Sequence, residues 1–290
     1  DTIVDRYYTE VVPASTFNFV RKTAESGSIN EQLVVSSAFA ISGTPAGIVV
    51  QDGVSQPWII FYNDVTGTFT ARETKTYADW SNTSVTADDR EYVPIGNQMM
   101  FLNGILFVVS RDSKQLYRSV SNRPLDFMVN VDVDGNKLAD ENLGGAGTVS
   151  FSVDFDNITA IKQINIPDSF VYGTARNVYI VTLDYVNTIF GEPTFRVSPV
   201  GEAGIVNQDS VIDILGDYAF VDVEGILSFN AVKQLKFEGR NSIFSQDLTA
   251  LLYIDGEPIK QTAPRCVVHN NYALFNLQTS LGNAIVVYDT

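Results

Sequence analysis

Apolar and polar residues alternate with a period of two along most of this chain. Gln32-Leu33-Val34-Val35-Ser36-Ser37-Ala38-Phe39 reads as a strand, as do Trp58 to Tyr62, Ile105 to Val109 and Val178 to Val181. Later strands are expected at Val211 to Leu215, Tyr218 to Val221 and Ile285 to Tyr288. Each is short and bounded by Gly, Asn, Asp or Pro, residues that tolerate or impose turn geometry. A 3.6-residue apolar stripe is almost absent. The best helical stretch is Asn230-Ala231-Val232-Lys233-Gln234-Leu235, continuing into 242–252, and it falls in a connection.

A turn followed by a strand recurs. Asn103-Gly104 precedes Ile105-Leu106-Phe107, and Gly216-Asp217 precedes Tyr218-Ala219-Phe220. Glu224-Gly225 precedes Ile226 to Phe229, and Asn270-Asn271 precedes Tyr272 to Phe275. Such dipeptides supply the positive φ angles that tight hairpins need. Apolar centres near Ile60, Phe107, Ile180, Phe220 and Leu274 lie about one blade or more apart, at ~40–50 residues per four-stranded blade. The pattern predicts an all-β fold. A β-propeller of degenerate four-stranded blades suits it, with a β-sandwich as the alternative.

No low-complexity linker divides the chain, so residues 1–290 read as one propeller-like domain. The region 130–147, polar and Gly-rich, reads as a long loop. The 18 Phe and 13 Tyr fit strands and exclude a disordered chain. No apolar run is long enough to cross a bilayer, so no membrane insertion is expected. The chain opens Asp1-Thr2-Ile3-Val4 without Met, which reads as a processed chain or a piece of a longer one. One cysteine, Cys266, leaves no disulfide framework. The formal charge of −15 comes from scattered acids, and phosphate binding would need clustered Lys and Arg.

Three constellations invite chemistry. Asn130-Val131-Asp132-Val133-Asp134-Gly135, ending at Glu141, has the spacing of an EF-hand calcium loop. Against it, Asn stands first, Lys137 takes the usually apolar eighth position and neither flank is helical. An Asp-Gly hairpin turn explains the same residues, so no metal is assigned. Cys266 and His269 lie three apart, which on a strand points them to opposite faces. No second Cys or His completes a ligand set, so they read as structural. Asp88/Asp89 and Asp154/Asp156 could suggest a glycosidase pair, but nothing distinguishes them among 34 acids. No phosphate loop, nucleophile elbow or zincin motif is present. The sequence therefore assigns no catalytic, cofactor-binding or metal residue.

The order of segments carries a resemblance. Gln51-Asp52-Gly53-Val54-Ser55-Gln56-Pro57-Trp58 is followed by Tyr92-Val93-Pro94-Ile95-Gly96 and Met99 to Val108. Gln115-Leu116-Tyr117-Arg118-Ser119 and Arg123-Pro124-Leu125-Asp126-Phe127 come next. Asn157 to Ile161 opens a similar element containing Val178 to Val181. Val200 to Val211 then leads to Gly216 to Phe229. Arg265 to Phe275 and Asn283 to Thr290 close the series. From about Gln51 onward this resembles the tail nozzle propellers of short-tailed bacteriophages, the tail tubular protein B-like family. It is a pattern of apolar and turn residues, with no catalytic signature.

The resemblance implies a structural virion protein in the phage tail, assembled in the host cytoplasm, and not an enzyme. It implies a ring of six copies around a channel through which genome DNA passes without specific binding. Portal-adaptor and tail fibre proteins are the expected partners, beside copies of the chain itself. The rival readings are a propeller enzyme acting on sugars and a carbohydrate-binding or adhesive β domain. The first needs convergent carboxylates in a funnel. The second needs exposed aromatics at repeating blade positions.

Overall fold

A computed structural model describes residues 35–40, 46–63, 67–74, 91–127, 147–149, 156–189, 192–214, 216–223, 225–230, 248–262 and 264–289. The protein is all-β, built of small antiparallel sheets. Among the described residues the helical content is one 3-10 turn at Gln208–Ser210 and short turns such as Thr249–Leu252. None is long and apolar enough to cross a membrane.

Every sheet is an up-and-down meander whose strands pair in chain order. The first holds β1 (Val35–Phe39), β2 (Gly47–Gln51), β3 (Trp58–Asn63) and β4 (Thr68–Glu73). The second holds β5 (Gly96–Leu102), β6 (Ile105–Ser110), β7 (Leu116–Arg118) and β8 (Gly147–Val149). The third holds β9 (Ile158–Gln163), β10 (Ser169–Thr174), β11 (Val178–Ile189) and β12 (Glu192–Gly201). The fourth holds β13 (Val211–Ile214), β14 (Asp217–Asp222) and β15 (Gly225–Ser228). A two-stranded ribbon, β16 (Tyr253–Ile254) with β17 (Glu257–Pro258), precedes the last sheet. That sheet holds β18 (Arg265–His269), β19 (Tyr272–Thr279) and β20 (Gly282–Asp289).

The turn dipeptides act as hairpin turns. Asn103 and Gly104 both have positive φ, 48° and 82°, and join β5 to β6 in the primed geometry that matches strand twist. Gly216 (φ 85°) joins β13 to β14, and Asn270 (φ 54°) joins β18 to β19. Gly96 serves differently. A Cβ there would sit 2.1 Å from the carbonyl oxygen of Val109, at the β5–β6 register shift. Only glycine permits that approach.

The chain divides into two compact units, 1–150 with 187–193, and 151–186 with 194–290. In the first unit, Phe39, Val49 and Ile59 of one sheet pack on Met99, Leu106 and Val108 of the next. In the second unit, Ala160, Val171 and Val178 of the third sheet pack on Val211, Tyr218, Phe220 and Leu227 of the fourth. The opposite face of the fourth sheet, with Ile212, Ile214, Ala219 and Val221, packs on Ala273, Phe275 and Leu277 of the last. Alternation along β14 thus feeds two cores at once. Within each unit the sheets stack in chain order, face on face.

Within each unit the first strands are neighbours. β1 lies beside β5, β13 beside β18, and β9 beside the Gln208–Ser210 turn that leads into β13. Among the described residues, in four of the five sheets of three or more strands the second strand carries a fully buried phenylalanine: Phe107, Phe170, Phe220 and Phe275. Burial of such a side chain contributes roughly 2–3 kcal/mol each.

Outer strands are shielded in different ways. β4 carries Arg72 and Glu73 and is almost wholly exposed. β12 holds two prolines, Pro193 and Pro199, tolerable because it is an edge strand. β8 and β15 are short.

Of the helical stretch expected from Asn230, residues 231–247 lie outside the described residues; Asn230 itself is helical, and the described remainder further on includes the turn Thr249–Leu252. The polar region 130–147 lies outside them as far as residue 146, and Gly147 opens β8.

Candidate interaction surface

The residues singled out for chemistry do not converge. Cys266 and His269 both lie on β18, opposite Phe275 and Tyr272 of β19 respectively. Cys266 turns inward against the core beneath the last sheet, while His269 is exposed at the strand end. Desolvation, then the nearby negative charge of Asp209, pushes the Cys266 thiol up to about 12, only partly offset by Lys162. A thiol that stays protonated at neutral pH is a poor nucleophile and a poor metal ligand.

Asp156 pairs with Arg176 at 3.5 Å. Its sequence neighbour Asp154, the pair Asp88/Asp89 and the calcium-like stretch Asn130–Glu141 lie outside the described residues. Among the described residues no group of three His, Cys, Asp or Glu side chains is placed to hold a metal ion.

The buried acids that the structure does reveal are structural. Glu192, at the tip of the β11–β12 hairpin, accepts a hydrogen bond from Arg118 Nη1 at 2.8 Å and from the Ser121 N–H at 3.1 Å. Asp52 accepts from the N–H groups of Val54 (2.8 Å) and Ser55 (2.7 Å) and from the Ser55 hydroxyl (2.8 Å). It thereby builds the turn between β2 and β3, where Gly53 has φ 75°. The half-buried Asp217 likewise accepts the Tyr218 N–H at 2.8 Å and the Ser228 hydroxyl at 2.5 Å. Carboxylates used this way satisfy backbone donors in turns. The Glu192–Arg118 pair is 74 residues apart in sequence and carried no local signal.

What the molecule does present is apolar surface on its last sheet. Directly opposed residues on β18, β19 and β20 form rows: Val267–Leu274–Val287, His269–Tyr272–Asp289 and Arg265–Asn276–Ile285. These side chains share one face, because the alternate residues Ala273, Phe275 and Leu277 point into the core. On that outward face Ile285 is 67% exposed, Val287 57% and Val267 55%. Tyr272 is exposed beside them and Leu274 is half-buried. The centre is aliphatic, and Arg265, His269, Asp289, Asn276 and Gln278 rim it. An apolar centre with a polar rim is the anatomy of a protein–protein interface.

A second, smaller group lies on the first sheet. There Tyr62 and Phe69, paired across β3 and β4 with ring centroids 5.0 Å apart, are exposed near Ile48. Arg72 is tied down by Glu91 and by the Phe61 ring 5.3 Å from its guanidinium carbon.

The chain matches no protein-family model, and a search of curated proteins finds no match.

Proposed function

We propose that this chain is a non-catalytic building block of a short-tailed bacteriophage tail, a propeller-type nozzle component that assembles with copies of itself around the DNA channel. One observation carries the reading. Within each of the two units the sheets are consecutive antiparallel meanders, stacked face on face in chain order, with first strands of successive sheets side by side at β1 and β5 and at β13 and β18. Propeller blades stack in that manner, with first strands nearest an axis. The order of segments from Gln51 onward supports the choice of family.

The role is mechanical. The copies form a wall, and the genome passes without base readout. The net charge of −15 supports an acidic or neutral channel lining. Duplex DNA carries about one negative charge per ~1.7 Å, so a basic lining would hold it and slow its passage. Repulsion reaches only ~8 Å at physiological salt, so it acts where the channel is narrow. Portal-adaptor and tail fibre proteins are the proposed neighbours in the particle.

The test is imaging of intact particles that contain this chain. The reading expects the chain as a ring below the portal, with no Lys- or Arg-rich constriction. Isolated single copies in the particle would refute it. So would hydrolysis of a polysaccharide by purified protein that is abolished by replacing one carboxylate.

A further inference from the structure

β20 has the composition of a strand covered on both sides and the exposure of one covered on a single side. Ile285-Val286-Val287-Tyr288 is a continuous apolar run, as expected where both faces are packed. Its inner residue Val286 packs against the core shared with the fourth sheet, yet Ile285 and Val287 on the other face are mostly exposed. Val267 and Leu274, in the same row as Val287, extend the apolar area across all three strands.

We propose that the outward face of β18–β20 is a self-association surface, covered by the same face of a second copy in a sheet-on-sheet dimer. Aligned sheets pack ~10 Å apart with their facing side chains interdigitated. A two-fold axis can relate the copies in two simple ways, and charge decides between them.

With the axis along the strands, β19 lies over its counterpart and β18 lies over β20 of the other copy. Val267 then meets Val287, and Leu274 meets Leu274 on the axis. Each His269 faces Asp289 of the other copy. The aliphatic stem of Arg265 covers Ile285, with its head beside Asn276. No like charges face each other. With the axis across the strands, Arg265 would stand over His269 and Ile285 over Asp289, placing an apolar side chain on a charge. The first arrangement is self-complementary and the second is not.

A two-fold contact joins like surfaces, whereas a ring joins unlike ones. The dimer is therefore independent of the nozzle reading, and either can fail alone. The face spans three short strands, small beside the ~1,200–2,000 Å² of a standard interface. The dimer accordingly forms reversibly and depends on concentration.

Sedimentation equilibrium on the full chain across micromolar to millimolar concentrations tests it. A monomer–dimer equilibrium is expected. Val267→Lys combined with Val287→Lys, at exposed positions that leave the core intact, is expected to weaken it at least tenfold. Asp289→Lys alone is expected to weaken it, and adding His269→Asp to restore it. Leu274→Cys is expected to be joined to its counterpart across the axis by a short bis-maleimide linker, since facing sheets lie ~10 Å apart, too far for a direct disulfide, while the half-buried, inward-facing Cys266 does not react. Circular dichroism confirms folding of each variant. A wild-type chain that stays monomeric throughout would overturn the proposal. So would an oligomer that survives the paired lysines, or a Leu274→Cys protein that fails to cross-link.

Discussion

β6 and β20 have nearly the same apolar content and opposite surroundings. Ile105-Leu106-Phe107-Val108-Val109 is buried at every position. Ile285-Val286-Val287-Tyr288 is exposed or half-buried throughout. Both belong to antiparallel meanders that pair in chain order. The difference lies in position. β6 is an interior strand with a neighbour on each edge, whereas among the described strands β20 pairs with β19 alone, at the end of the stack. Sequence reports what a strand is suited to pack against. The stack determines whether that cover is present within one copy.

The largest expected effect sharpens that contrast. Phe107→Ala removes a fully buried ring from the second strand of its sheet and is expected to cost about 3–5 kcal/mol in urea unfolding. Ile285→Ala, on the exposed face, is expected to cost under ~0.5 kcal/mol in dilute solution where the chain is monomeric. Equal costs at the two positions would break the comparison.

Next in size is the pair that ties the β11–β12 hairpin tip into the first unit. Glu192→Ala leaves Arg118 without its carboxylate at a site where both side chains are largely buried. Breaking such a pair from one side is expected to cost about 3 kcal/mol. A smaller loss in a double-mutant cycle with Arg118→Met would show that the pair, and not either charge alone, matters.

A third effect is chemical. The Cys266 thiol is raised from 9.0 to about 12, so at pH 8 the folded protein holds roughly a thousandfold less thiolate than the unfolded chain. Alkylation by iodoacetamide should be correspondingly slow in native protein and ordinary in urea. The linked stability effect has a definite sign. Below pH 9 the thiol is protonated in both states and has no effect. Between 9 and 12 the unfolded chain ionises first, so stability falls as pH rises through that window. Native labelling at the unfolded rate would contradict the inward placement of Cys266.

The smallest effect concerns a turn. Gly104→Ala forces a residue with a Cβ into φ 82° beside the Asn122 side chain. A loss of about 1–2 kcal/mol is expected, with the β5–β6 register preserved. Asn103→Ala, at φ 48°, should cost less than or about as much, since its strain is of the same kind.

The strands legible in the sequence were short apolar segments bounded by turn residues, some with a turn dipeptide directly in front of them. β3, β6, β11, β13, β14 and β20 fall where the pattern predicts. β10 was hidden because all six of its residues are buried, so Ser169-Phe170-Val171-Tyr172-Gly173-Thr174 shows no polar face to alternate with. β12 was hidden by Pro193 and Pro199, which argue against an interior strand and are admissible at this edge. The opposed directions of Cys266 and His269 followed from parity alone. The Glu192–Arg118 contact could not, because it joins residues that only tertiary folding brings together. The apolar face of β18–β20 was half legible. The run at 285–288 was visible, but its exposure depends on which sheet ends the stack.

Imaging of the assembled protein at a resolution that traces strands tests the central claim most directly. The account predicts that the meanders radiate from an axis as blades, with β1, β5, β9, β13 and β18 innermost and the acidic or neutral surface toward the channel. Sheets closed into a two-layer sandwich, with those first strands on the periphery, would contradict it.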